Sequence, residues 1–299
     1  MEPVDLSLAG VCRTYGLPMK VAENYAKRKV DTLYQWQLDL IVRGRLLLPE
    51  APSAVYCAPT SGGKTLVAEL ACLMQVMRGF QAIFIVPFIS VVKEKEQNFL
   101  QYAAQVRVPA RQAGRGFGGQ AKTRAIKVKS CYGDVNAISV LKTDIIICTI
   151  DKATTIVNTF MKMGRARRIG CVVMDEMHLL GDPGRGPGLE MLVTRLLFFV
   201  RKCHEHGAPA RTQLIGMSAT VGNVHEVADW VTLGGFLGQR KAFVSSYRPV
   251  ELQEHLLCRN KVYDVRTTEE GGRPDVEKMC IWQGEHSSSP LFLLSPRCH

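Results

Sequence analysis

The stretch that most constrains this chain runs from Val55 to Leu70 and reads Val-Tyr-Cys-Ala-Pro-Thr-Ser-Gly-Gly-Lys-Thr-Leu-Val-Ala-Glu-Leu. A short apolar run, Val55 to Cys57, leads into a loop of small residues. From Lys64-Thr65 onward the apolar positions Leu66, Val67, Leu70 and Leu73 fall at helical spacing. Strand, glycine-bearing loop, Gly-Lys-Thr and helix is the layout of a phosphate-binding loop. The residue types answer to that chemistry. Gly62 and Gly63 let the backbone curl until its N–H groups face a polyphosphate, and the helix N-terminus adds its positive end. Lys64 would reach the terminal phosphates, and the Thr65 hydroxyl would sit on Mg²⁺. Ala58 stands where the usual Gly-x-x-x-x-Gly-Lys-Thr pattern has its first glycine. Taken alone, Gly-Gly-Lys-Thr also fits an ordinary loop in a basic chain.

Composition narrows the setting. The 299 residues are 46% hydrophobic, enough for one large or two modest domains with a real core. Mean hydropathy is +0.02, and no uninterrupted apolar run approaches the ~18 residues of a membrane span. Leu192 to Val200 is broken by Arg195 and reads as a buried helix. Met-Glu-Pro-Val-Asp at the N-terminus has neither the basic nor the apolar region of a secretory signal. Ten cysteines include no Cys-x-x-Cys pair, and Cys57, Cys148 and Cys171 lie in apolar runs. That usage suits reduced, buried thiols of an intracellular protein. Cys203-His204-Glu205-His206 ends a helical run and reads as a solvated terminus rather than a metal site. A net charge of +11 and a pI near 9.2 point to a polyanionic partner.

Taken in order, residues 1–16 carry little pattern, and Leu17 to Val42 shows helical spacing interrupted by Lys27, Arg28 and Lys29. Gln37 in this region offers an amide donor and acceptor that suit an adenine edge, although an ordinary helix residue is the plainer reading. Ala82 to Val86 reads as a buried parallel strand ending at Pro87-Phe88. The following Ile89 to Glu96 reads as a solvated amphipathic helix. Residues 107–130 are rich in Arg, Lys, Gly and Gln and read as a basic, mobile excursion near nucleic acid. Within it, Gly114-Arg-Gly116-Phe-Gly-Gly119 matches a dinucleotide fingerprint, but no strand precedes it and no apolar helix follows. Asp144 to Thr149, Gly170 to Met174 and Gln213 to Met217 read as further strands, separated by helical stretches at Lys152 to Met163 and Leu189 to Cys203. Strands alternating with helices predict an α/β fold, a parallel sheet with helices on both faces.

The run Cys171 to Met174 ends in Asp175-Glu176-Met177-His178. Two acids at the carboxyl end of a buried strand stand where open α/β sheets place ligands. Asp175 suits holding Mg²⁺ through its water shell, and Glu176 suits orienting and deprotonating an attacking water. Ser218-Ala219-Thr220 follows the strand Leu214 to Met217. Small hydroxyl residues there are usually turn-formers or caps, and in a nucleotide-driven motor they pass phosphate state to the polymer site.

The order Gln37, Ala58–Thr65, Pro87-Phe88, Thr149, Asp175–His178, Ser218–Thr220 resembles the first RecA-like domain of superfamily 2 helicases of the Ski2/Hel308-type branch. In finer detail it is similar to the helicase-like region of DNA polymerase theta and the Hel308-like helicase of animals. The matching text is Ala58 to Glu69, Pro87 to Lys95, Gly181-Asp-Pro-Gly-Arg-Gly-Pro-Gly-Leu-Glu190 and Ile215-Gly-Met-Ser-Ala-Thr220. The similarity runs from about Leu17 to Tyr263, and alanine at the position of Ala58 is ordinary in such families. The resemblance implies a RecA-like P-loop NTPase fold that uses ATP and Mg²⁺. It assigns nucleotide contacts to Gln37, Ala58, Thr60, Ser61, Gly62, Gly63, Lys64 and Thr65, and catalysis to Lys64 and Glu176. Metal falls to Thr65 and Asp175, and coupling to Ser218 and Thr220. Pro87, Lys93, Thr149 and Arg185 fall on motifs that line a single-strand track, so single-stranded or forked DNA is the expected partner, with no membrane.

The same resemblance sets expected boundaries: an N-terminal extension with a short helix over 1–30 and the ATP-binding domain over 31–247. Residues 248–266 would begin the connection to a missing second RecA-like domain, and 267–299 would be an unrelated, disordered tail. No Gln-x-x-Gly-Arg-x-Gly-Arg motif, source of the arginine finger, occurs in the chain. The implied function is an ATP-dependent DNA helicase core acting in DNA repair in the nucleus. The alternative is a truncated ATP- and DNA-binding module without motor activity, since losing the arginine finger costs roughly 10³-fold or more in hydrolysis. A small-molecule P-loop kinase leaves Asp175–His178, Ser218–Thr220 and the basic charge unexplained.

Overall fold

A computed structural model describes residues 7–109, 123–133, 137–206, 212–219, 221–233, 242–250, 254–258, 261–266 and 275–283. The chain divides into two compact units, Met1–Tyr247 and Arg248–His299.

The first unit opens with helices α1 (Leu8–Tyr15), α2 (Met19–Ala26) and α3 (Gln35–Gly44). Helix α1 forms where the sequence carries little pattern. Its Ser7 side chain caps the start by accepting from the Gly10 N–H, and Gly16 ends it at φ 75° in the left-handed region. Leu8, Val11 and Cys12 are its buried face.

Beyond α3 the chain alternates strands and helices: β1 (Ala54–Cys57), α4 (Lys64–Met77), β2 (Gln81–Val86) and α5 (Ile89–Tyr102). Three short strands follow, β3 (Arg107–Pro109), β4 (Thr123–Ala125) and β5 (Val128–Cys131), inside the segment expected to be a mobile excursion. Strands β3 and β4 pair antiparallel, and β5 joins the main sheet beside the next strand. Residues 110–122, with the rejected dinucleotide fingerprint, lie outside the described residues. Then come β6 (Ile145–Thr149), α6 (Ile150–Lys162), β7 (Ile169–Met174), α7 (Gly186–Glu205), β8 (Gln213–Ser218), α8 (Val224–Val231) and β9 (Ala242–Val244).

Seven strands form one sheet in the order β5-β6-β2-β7-β8-β1-β9, and every pairing within it is parallel. The central strands are buried on both faces, which is why they read as continuous apolar runs. Successive side chains divide between the faces. Phe84 and Val86 of β2, Ile145 and Ile147 of β6, and Val173 of β7 pack with α1 to α5. Ile83 and Ile85, Ile146 and Cys148, and Val172 pack with α6 to α8. The cysteines among the described first-unit residues are buried free thiols. Among the described residues no helix is long and apolar enough to cross a membrane.

Because all seven strands run the same way, all their carboxyl ends lie on one edge. Strand β8 sits between β1 and β7, so the loops after β1 and β7 stand two strand spacings apart, about 10 Å.

The second unit contains β10 (Glu254–Cys258), β11 (Lys261–Arg266) and β12 (Asp275–Gln283), paired antiparallel in that order. Strand β12 lies in the segment that the sequence reading expects to be disordered.

Candidate nucleotide site

The P-loop leaves β1 at Cys57 and is fastened on both sides. Ala58 N–H donates to Ser218 O at 3.2 Å, and Ser245 N–H donates to Cys57 O at 2.9 Å. Ser61 and Gly63 take left-handed backbone angles, φ 64° and 79°. A Cβ on Gly63 would stand 2.5 Å from Gln37 Nε2, and one on Gly62 would stand 2.9 Å from Pro59 O. Both glycines are therefore sterically required. Thr60 and Ser61 are exposed, and Lys64 and Thr65 are half-buried.

Gln37 is buried against this loop. Its Oε1 accepts from Tyr34 N–H at 2.8 Å and its Nε2 donates to Gly63 O at 2.7 Å. Neighbouring Trp36 donates from Nε1 to Gly62 O at 3.2 Å. One end of Gln37 thus shapes the loop, and its second Nε2 hydrogen and second Oε1 lone pair are what an adenine edge would meet. The Lys64 ammonium folds back on the loop, donating to Ala58 O at 2.7 Å and Pro59 O at 3.0 Å. Burial pushes its pKa down while Glu176 and Asp175 pull it up.

Asp175 leaves β7 with its N–H on Ile85 O at 2.9 Å, and its Oδ1 accepts from Glu176 N–H at 2.9 Å. Burial, then the charge of Glu176, raise its pKa to about 6. Glu176 holds φ 57°, a left-handed angle for a residue with a side chain, and such strain collects at functional sites. Its Oε2 stands 3.2 Å from His178 Nδ1, outside hydrogen-bonding geometry, and is buried without a hydrogen-bond partner. His178 Nδ1 instead makes a 3.1 Å hydrogen bond with the fully buried Ser218 Oγ. This bond joins the acidic loop to the end of β8. Thr220 lies outside the described residues.

These features fit a magnesium–nucleotide pair. A half-buried acid with a raised pKa, a carboxylate oxygen without a hydrogen bond and a lysine bound only to loop carbonyls each suit added charge of the opposite sign. Among the described residues no three His, Cys, Asp or Glu side chains converge as a metal cage. A divalent cation here would share Thr65 and Asp175 with phosphate oxygens, which is how Mg²⁺ is usually held. Cys203-His204-Glu205-His206 closes α7 with Glu205 paired to Arg201 and Lys202 on the surface.

The residues expected on a single-strand track lie along the same carboxyl edge. Pro87 follows β2, Thr149 ends β6 as the N-cap of α6, Lys93 projects from α5, and Arg185 precedes α7. Two aromatic partners come with them that sequence spacing does not reveal. Arg185 lies 4.4 Å from the Phe88 ring centre and Lys93 lies 5.4 Å from that of Tyr132. Phe88 is half exposed. Asp182 Oδ1 accepts from the Gly184 and Arg185 N–H groups at 2.9 and 2.8 Å, shaping the turn that carries Arg185. The segment Ile89 to Glu96 is not wholly solvated, because Lys95 is buried.

Comparison with known proteins gives this geometry a context. The sequence profile of the DEAD/DEAH box helicases matches residues 41–227. DNA polymerase theta of Drosophila melanogaster is 36% identical over 265 residues, covering 88% of this chain and 11% of that protein. The human helicase POLQ-like is 31% identical over 260 residues, 86% of this chain and 21% of that one. The ATP-dependent DNA helicase Hel308 of Pyrococcus abyssi is 28% identical over 249 residues, 82% of this chain and 28% of that one. The chain therefore spans between about a tenth and just over a quarter of the length of these relatives. Among solved structures, the DUF1998 helicase MrfA bound to DNA superposes with a TM-score of 0.56 at 18% identity, over 77% of this chain and 29% of that one, which shows a shared fold.

Glu69 on α4 gives the site a pH signature. It accepts from the Tyr25 hydroxyl at 2.9 Å, and burial raises its pKa to about 7 against the pull of Lys95. Its folded pKa exceeds its unfolded one, so the native state binds the extra proton and stability falls as pH rises through about 7. The melting temperature should decline from about pH 5 to about pH 8, and Glu69→Gln should flatten that decline. A variant profile that overlays the parent would contradict this assignment.

Proposed function

The chain belongs to the DEAD/DEAH box helicase family, and from that premise we propose that its first unit is the ATP-binding, first RecA-like domain of an ATP-dependent DNA helicase acting in nuclear DNA repair. The observation that carries the reading is the convergence of Lys64, Asp175 and Glu176 at the carboxyl ends of β1 and β7, two strands of one parallel sheet with only β8 between them, within the segment the family profile covers.

In this reading Lys64 exchanges the carbonyls of Ala58 and Pro59 for the terminal phosphates. Gly63 and the start of α4 turn N–H groups toward the same phosphates, Gly62 would do so on releasing Pro59 O, and Ala58, Thr60 and Ser61 complete the loop with Gln37 meeting the adenine. Mg²⁺ held at Thr65 and Asp175 would neutralise charge developing on the transferred phosphoryl group. Glu176 orients the attacking water and takes its proton, and its Oε2, which makes no hydrogen bond, is the acceptor for that task. The His178–Ser218 bond, with Thr220 beyond it, is the path by which phosphate state reaches the polymer track. Lys93, Thr149 and Arg185 grip single-stranded or forked DNA through its phosphates, independent of sequence, with Pro87 lining the same track. DNA is favoured by the net charge of +11, by relatives named DNA polymerase and DNA helicase, and by MrfA, whose structures hold DNA and AMPPNP. A second RecA-like domain closing on this face would supply the arginine finger.

Steady-state ATP hydrolysis with and without single-stranded DNA tests the proposal. DNA should stimulate turnover, and Glu176→Gln should lower it by about 10²–10⁴-fold while nucleotide still binds. No turnover with ATP and DNA both bound would favour a binding module without motor activity. On the DNA side, Lys93→Ala and Arg185→Ala should each reduce the slope of log affinity against log salt by about 0.7. Unchanged slopes would remove those residues from the track.

A further inference from the structure

Helix α5 buries Val92, Lys95, Phe99 and Tyr102. A lysine on the buried face of an otherwise apolar stripe is out of place unless something holds its charge. The Lys95 ammonium lies 6.0 Å from the Phe84 ring centre and stands between α5 and α4. There it donates to Thr65 Oγ1 at 3.3 Å and lies 4.0 Å from Glu69 Oε1. Thr65 and Glu69 are four residues apart on α4 and so share one face.

The ammonium is itself held in place. Glu69 Oε2 accepts from the Tyr25 hydroxyl at 2.9 Å. The Tyr25 ring stacks on Tyr102 at 3.9 Å and 11°, and Arg28 in the turn after α2 donates to the Tyr102 hydroxyl at 2.7 Å. Three helices thus fix one positive charge beside a P-loop hydroxyl. Thr65, Glu69 and Lys95 also line a cavity of about 310 Å³ that reaches Gln37 and Gly63.

We propose that Lys95 is a positioning residue for the Thr65 hydroxyl, and that it sets how readily the site takes up a magnesium-bound nucleoside phosphate. The inference rests on the reading of Thr65 as a metal-holding residue. A threonine hydroxyl rotates and can either donate or accept. Lys95 can only donate, so its contact makes Thr65 Oγ1 an acceptor and leaves the second lone pair for a cation. If Lys95 served only to balance Glu69, the closer contact would be with the carboxylate. The ammonium instead lies nearer the hydroxyl.

The test is binding of a fluorescent ADP analogue to the full chain, titrated with Mg²⁺ and repeated in EDTA. Thr65→Ala should raise the Mg²⁺ midpoint. Lys95→Met should raise it by about tenfold, within the range of contacting pairs, with EDTA binding unchanged. Because Lys95→Met alone leaves a buried acid uncompensated, Lys95→Met with Glu69→Gln is the companion variant that keeps the fold, and it should show the same shift. Added to Thr65→Ala, Lys95→Met should change the midpoint by less than about twofold. A shift in Thr65→Ala without one in Lys95→Met, or full rescue by Glu69→Gln, overturns the inference and leaves the site reading standing. No Mg²⁺ effect in Thr65→Ala overturns the site reading itself.

Discussion

Parallel pairing from β5 to β9 is the constraint on which the rest of this molecule depends. A parallel sheet needs a crossover between every two strands, so each strand must end on the same edge and hand the chain to a loop there. That edge collects the P-loop after β1, the Pro87-Phe88 turn after β2, Thr149 at the end of β6 and Asp175-Glu176 after β7. None of these segments approaches another in sequence. Placing β8 between β1 and β7 lets Ser218 touch both neighbours, by its backbone carbonyl to Ala58 and by its hydroxyl to His178.

The P-loop is fastened to its surroundings before any ligand is considered. Trp36, Gln37 and Lys64 all bond its carbonyls, and its two glycines leave no room for a Cβ. The acidic loop is the complement. Asp175 is half-buried with its pKa raised, and Glu176 is held in a left-handed conformation with Oε2 making no hydrogen bond. Charge of the opposite sign relieves each loop, and a magnesium nucleoside triphosphate brings both kinds.

What the sequence disclosed follows from where the information lies along the chain. The P-loop, the strand ending in Asp175-Glu176 and the alternation of strands with helices are contiguous patterns, so they are legible. Helix α1 was hidden because its signals are single residues, Ser7 at the start and Gly16 at the end. Strand β12 was hidden by a Gly-, Ser- and Pro-rich neighbourhood. Lys95 sits inside Lys93-Glu94-Lys95-Glu96, a charge run that reads as solvated, and only the packing of α5 turns it inward. The pairing of Arg185 with Phe88 joins residues that spacing cannot relate, because it depends on β2 and β7 being neighbours.

The central claim is that Lys64, Thr65, Asp175 and Glu176 are one nucleotide site. The most direct measurement is a crystal structure of this chain with a non-hydrolysable ATP analogue and Mn²⁺, whose anomalous signal locates the metal. The account predicts a metal peak between Thr65 Oγ1 and Asp175, with Lys64 moved from the carbonyls of Ala58 and Pro59 onto the terminal phosphate. Nucleotide bound elsewhere, or bound with Lys64 still on those carbonyls, would contradict it.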